Sequence, residues 1–274
     1  MDRASARNEH YLELLKDLRL MDDDFFSEAL DEKIEPVEYI LCTILEREDI
    51  KVQHTEAQVE YKSATKRSIK LDIRAVDADG HVMDIEVQRA DKGASVRRAR
   101  FHSSVIDRTL LEKGEDFDAL VDTYVIFITE NDILKSGLPI YHIDRTVKET
   151  GESFEDGAHI IYVNSQIKNE TELGKLMHDF SCTNAEDMNY SVLADRVRYF
   201  KEDEKGVSTM CKAMEDMRNE AHEEGRLEGK IEGRTAERRT HIREMLLDHV
   251  PIEKIKQYTS ATDEEILEIQ REVQ

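Results

Sequence analysis

The sequence predicts an α/β protein: a central mixed β-sheet flanked by helices, followed by an α-helical C-terminal tail. Three observations carry this. Residues 69–89 alternate apolar and polar side chains on either side of Asp79-Gly80, residues 123–130 form a near-continuous apolar run, and helix-like and strand-like periods alternate up to about residue 204.

Taken in order, residues 8–20 have a helical period, and the stretch from Met21 to Phe26 reads as a break carrying two aromatics. From Pro36, the apolar positions Val37, Ile40, Leu41, Ile44 and Leu45 make an amphipathic helix with proline in its first turn. Asp22, Asp23 and Asp24 precede it and read first as loop or cap residues. Residues 51–62 form a first strand ahead of the hairpin at 69–89. After Lys92-Gly93 a helix is expected with Val96, Ala99, Ser103, Ile106 and Leu110 on one side. Residues 123–130, rich in β-branched and aromatic side chains, read as a buried strand. Residues 139–149 and 158–165 flank a Gly-bounded loop as a further strand pair, and residues 171–181 and 189–203 close the domain as two helices.

Beyond about residue 204 the character changes. Residues 205–247 are charge-laced and helical, with Gly225, Gly229 and Gly233 in line on one helix face. Such a line admits close approach of another helix, yet each glycine costs roughly 1 kcal/mol against alanine. The segment therefore reads first as a linker or loose coiled coil, with a homo-oligomer seam as the alternative. Residues 248–274 hold two short helices around Thr259-Ser260-Ala261, and Thr262 to Glu265 is a capping box. Helix-turn-helix DNA readers share that outline, but the stretch is acidic, so protein contact or tail packing is the better expectation. The domains expected are thus 1–204, 205–247 and 248–274.

Of the 274 residues 36% are charged, and the net charge is −22. That balance repels nucleic acid in general. Between Tyr61 and Lys113, however, 12 Lys and Arg stand against 8 Asp and Glu, so any nucleic acid is expected to bind there. No apolar run approaches the roughly 18–20 residues of a membrane span and no signal-peptide core opens the chain, so a cytoplasmic protein is expected. Cys42, Cys182 and Cys211 are far apart and show no metal-ligand spacing.

The hairpin carries the chemistry. Its apolar positions, Ile69, Leu71, Ile73 and Ala75 against Met83, Ile85 and Val87, are all odd-numbered. Only a loop of three residues, Ala78-Asp79-Gly80 with Gly80 left-handed, keeps both apolar sets on one face. Ile73 then opposes Ile85, Asp72 opposes Glu86, and Lys70 opposes Gln88, on a second face shared with Arg74 and Asp84. Two carboxylates this close call for a cation or a retained proton. A divalent metal is the sharp reading, and a solvated charged face is the bland one.

Asp72 followed by Glu86-Val87-Gln88 resembles the PD-(D/E)XK nuclease signature, with Gln88 where lysine usually stands. The words IEVQRADKG, VIFITEND, LPIYHIDRT, GAHIIYVN and LMHDFSC resemble the PD-(D/E)XK nuclease family transposases, relatives of the Rpn recombination-promoting nucleases, from about Asp22 to about Glu215. The resemblance implies a restriction-endonuclease-like core and a metal-dependent DNA endonuclease associated with recombination or mobile elements. It implies Mg2+ (or Mn2+) held by Asp72, Glu86 and the Val87 carbonyl, with Gln88 orienting a water. Relatives sometimes add an acidic residue from the region of Asp22 to Asp24. Gln88 brings no charge, and on the register above Lys70 is expected to supply the missing cation. Arg89, Lys92, Arg97, Arg98 and Arg100 are the expected phosphate contacts, with a merely basic outer helix face as the alternative. A catalytically weak nuclease-fold binding or regulatory module is the alternative function, and an RNase is a third.

Overall fold

A computed structural model describes residues 3–62 and 67–273, with side chains described from His10 onward except at Lys92, Glu220, Glu224, Glu228 and Val273. Six strands form one sheet: β1 (Val52–Tyr61), β2 (Ile69–Asp77), β3 (Val82–Gln88), β4 (Thr123–Thr129), β5 (Ile140–Ile143) and β6 (Ala158–Asn164), in the spatial order β1-β2-β3-β4-β6-β5. The first three pair antiparallel, β3-β4-β6 run parallel, and β5 returns antiparallel on the far edge. The sheet is therefore mixed, as the pattern of elements predicts.

Parallel pairing of β3 with β4 needs a crossover, and α4 (Val96–Leu110) supplies it. Ser95 caps this helix by accepting from the Arg98 amide. Ala99 and Ile106 of α4 pack with Val82, Val125, Phe127 and Tyr162, whereas Val96 is 58% exposed and does not share the buried face. The parallel strands read as apolar runs because both of their faces are covered: Val125 to Ile128 are all buried.

On the other side lie α1 (Arg3–Asp17), α2 (Asp23–Leu30), α3 (Ile34–Leu45), α5 (Glu172–Ser181) and α6 (Ser191–Glu202). Of these, α2 packs on β1, β2 and β3, and α3 packs on β1. The expected break at Met21–Phe26 is instead the start of α2. Asp22 is its N-cap residue, Asp23 and Asp24 occupy its first turn, and Phe25, Phe26, Ala29 and Leu30 are fully buried. Acidic residues at a helix start are favoured by the helix dipole, which explains the aspartates without a loop.

The turn joining β2 to β3 has the expected geometry. Gly80 sits at φ +87°, the Asp77 amide donates to the His81 carbonyl, and the register runs Ile73↔Ile85 to Val76↔Val82.

The chain divides into two compact units, Met1–Ala213 and Met214–Gln274. The helix α7 (Glu204–Leu247) begins in the first and ends in the second, and it runs unbroken through Gly225, Gly229 and Gly233. A β-carbon built on Gly225, Gly229 or Gly233 would meet nothing. In the second unit, the end of α7 packs with α8 (Ile252–Thr259) and α9 (Asp263–Val273) around Ile242, Ile255, Ile266 and Ile269. Ion pairs Arg238–Glu265, Arg239–Glu272 and Arg243–Glu272 lace the helices together, and the capping box forms, with the Thr262 amide donating to Glu265.

Candidate active site

Past the Ile73–Ile85 pair the backbone ladder between β2 and β3 stops, and side-chain carboxylates take its place. The Asp72 amide donates to Glu86 Oε1 at 3.0 Å, and the Val87 amide donates to Asp72 Oδ2 at 3.0 Å. Each carboxylate thus wedges between the strands and satisfies an amide that a regular ladder would have paired. The regular register therefore covers Ile73↔Ile85 to Val76↔Val82 and stops short of Lys70 and Gln88. Lys70 pairs with Glu60 of β1 and is exposed, while Gln88 pairs with Thr129 of β4. The Gln88 carboxamide lies against Gly93, where a β-carbon would fall 1.7 Å from its Oε1.

Asp72 and Glu86 are buried, 8% and 0% exposed. Burial pushes the Asp72 carboxyl well above the usual carboxylate range, and neighbouring Glu86 and Asp23 push it further. Burial, followed by Asp84, pushes Glu86 up to about 8. Asp84 lies two residues before Glu86 on the same strand face. It is fully buried and raised by burial and by Asp72, and among the described residues its Oδ1 has no N–H or hydroxyl donor.

Among the described residues one arginine is ion-paired with this group. Arg98, on the first turn of α4, donates from Nη2 to Glu86 Oε2 at 3.0 Å and from Nε to His102 Nε2 at 3.2 Å. His102 Nδ1 stands 3.0 Å from Asp84 Oδ2. A guanidinium can only donate, so His102 Nε2 accepts, and Nδ1 carries the proton that goes to Asp84. Burial holds the His102 pKa below its ordinary value, in keeping with a neutral ring. Neither Asp84 nor His102 stands out in the sequence as a site residue. The available signal is that His102 lies three residues after Ala99 and beside Ser103, on the face of α4 that must turn inward.

The remaining candidates lie around this centre. Lys70, Arg97, Arg98, Phe101 and His102 line a cleft of about 570 Å3. Arg100 is exposed on α4. Arg89 is drawn away to Asp22 at 2.7 Å and Glu130 at 3.4 Å, where Arg19 also pairs with both. The side chain of Lys92 lies outside the described residues. Val87 is buried within β3.

Among the described residues, three buried carboxyl groups have one ion-paired arginine, Arg98, and one carboxylate oxygen has no N–H or hydroxyl donor, which makes a site short of positive charge. Asp84, Glu86 and His102 bring ligand atoms within 4.8 Å of one another, and the oxygen-rich donor set suits a hard divalent ion.

The model of the PD-(D/E)XK nuclease family transposases matches residues 37–228. The chain belongs to this family. No curated protein and no solved structure matches it. Within the PD-(D/E)XK frame, Asp72 and Glu86 fall on the two strands of the antiparallel hairpin, and the mixed sheet flanked by helices is the fold that the family implies. Nucleases of this kind typically use divalent metals. Among the described residues no helix is long and apolar enough to cross a membrane.

Proposed function

We propose that this chain is a Mg2+- or Mn2+-dependent DNA endonuclease acting in the cytoplasm on recombining or mobile DNA. The observation that supports it most is the meeting of Asp72 and Glu86, both buried, where β2 and β3 part beside a cleft carrying Lys70, Arg97 and Arg98. Asp72, Glu86 and the Val87 carbonyl would hold the ion, which supplies positive charge to polarise a phosphoryl oxygen and to ease deprotonation of a water. The interlocked Asp72 and Val87 amides fix the two carboxylates in place. Gln88 orients a water by hydrogen bonding, and hydrolysis then forms one P–O bond to that water and breaks one ester P–O bond, the leaving oxygen taking up a proton. Lys70, Lys92, Arg97 and Arg100 receive flanking phosphates. Arg89 contributes least, because its charge is already engaged by Asp22 and Glu130. The glycine-lined face of α7 is the proposed seam of a homo-oligomer.

The test is nicking of supercoiled plasmid with Mg2+ or Mn2+. Asp72→Ala and Glu86→Ala are each expected to lower the rate by about 10³-fold or more. Activity surviving both substitutions rejects the assignment. The uncharged Gln88 favours a second reading, a binding module with weak or lost catalysis. That reading gains if the wild type binds Mn2+ and DNA yet leaves plasmid intact.

A further inference from the structure

The PD-(D/E)XK motif normally places a lysine at the position that Gln88 fills, so this chain lacks a cation there. Lys70 is the sequence-based candidate to replace it, and it is exposed on the same cleft, but among the described residues it forms no ion pair with Asp72 or Glu86. Among the described residues Arg98 is the cation ion-paired with the motif, at 3.0 Å from Glu86 Oε2. Its side chain is 34% exposed, so it reaches from the buried carboxylates to the cleft. It is also held from behind. Nε donates to His102, His102 donates to Asp84, and both of those are buried. A flexible surface arginine has no use for a buried His–Asp pair oriented toward it, and burying Asp84 carries a cost that needs a return.

Resting on the nuclease reading above, we propose that Arg98 supplies the positive charge missing at position 88, and that His102 and Asp84 are the positioning residues that aim it. Arg98 then serves twice: it offsets Glu86 while no metal is bound, and it faces the reacting phosphate when substrate enters the cleft, where a planar guanidinium offers two donors to one phosphate.

The experiment compares wild type, Arg98→Gln, Arg98→Gln with Gln88→Lys, Lys70→Ala, His102→Ala and His102→Gln, each first checked for folding by circular dichroism. Plasmid cleavage gives kcat and KM, and calorimetric titration with Mn2+ alone gives metal affinity. Arg98→Gln is expected to lower kcat by about 100-fold with KM changed by less than about 3-fold, and Gln88→Lys is expected to restore most of the loss. Metal affinity in Arg98→Gln should rise by about 10-fold, because no fixed cation then competes for Glu86, while Lys70→Ala leaves it unchanged. His102→Ala should lower kcat by about 10-fold, and His102→Gln, whose amide can both accept from Arg98 and donate to Asp84, should recover it.

Equal effects of Arg98→Gln and Lys70→Ala on both readouts overturn the proposal while leaving the nuclease reading intact. So does a folded double variant that fails to regain activity. A wild type that neither cleaves nor binds Mn2+ removes the nuclease reading, and this proposal with it.

Discussion

The β2–β3 hairpin buries an aspartate at each end of its backbone ladder, and the two ends are built on opposite principles. At the turn, Asp77 is 4% exposed and surrounded by donors: the amides of Asp79 and His81 at 3.0 and 2.9 Å on Oδ1, and His81 Nδ1 at 3.0 Å on Oδ2. At the open end, Asp72 is 8% exposed and shares its surroundings with Glu86, Asp84 and Asp23. Donors exceed charge at one end, and charge exceeds donors at the other. A buried carboxylate with its donors supplied holds the fold together. One left short of donors is the mark of a place that awaits a ligand.

The widest separation between the two ends is expected in stability. Asp77→Ala strips two backbone amides and a histidine of their acceptor and should destabilise the metal-free protein by about 3 kcal/mol. Asp72→Ala frees one amide but removes a buried carboxyl group crowded against two others, so its net cost should be about 1 kcal/mol or less. Urea unfolding in the presence of a chelator measures both, and equal losses would erase the distinction.

A pH series sharpens it. The folded protein holds the Glu86 proton up to about pH 8, whereas the unfolded chain releases it near the ordinary value of 4.5. Between those limits the folded state binds more protons, so metal-free stability falls as pH rises and levels off above about 8, with a slope of up to about 1.4 kcal/mol per pH unit. Glu86→Gln should reduce that slope, leaving the share of the raised Asp72 and Asp84, which thermal melts from pH 5 to 9 in chelator would show. A slope left unchanged by the substitution would assign the effect to other groups.

The smallest effect is local. Gly93 has an ordinary backbone angle, so Gly93→Ala should change stability by less than about 1 kcal/mol. Its β-carbon, however, displaces the Gln88 carboxamide. Cleavage several-fold slower in a protein of unchanged melting temperature is the expected result, and unchanged cleavage would leave the placement of Gln88 without consequence.

Much of this was legible in the sequence because strand parity is a strong constraint. Odd-numbered apolar residues on both strands allow only a three-residue loop, and the Ile73–Ile85 register and left-handed Gly80 follow from it. The same arithmetic is silent on where the ladder ends, since it assumes that backbone groups pair with backbone groups to the end of the strand. It has no means of knowing that Asp72 and Glu86 insert their carboxylates into the ladder. The helix at Asp23–Leu30 escapes notice because three aspartates mask the start of a short apolar stretch. His102 escapes because its partner Asp84 is distant in sequence and belongs to a strand, so no spacing rule joins them.

The parted ladder also supplies its own spectroscopic probes. The amide protons of Asp72 and Val87 are bonded directly to carboxylate oxygens of Glu86 and Asp72 rather than to the neighbouring backbone. Anything that draws on those oxygens, whether a proton or a cation, changes the electron density that these two protons feel. In an amide correlation spectrum they should shift first and furthest during a titration, while the amides from Ile73 to Val76, inside the regular ladder, stay where they are.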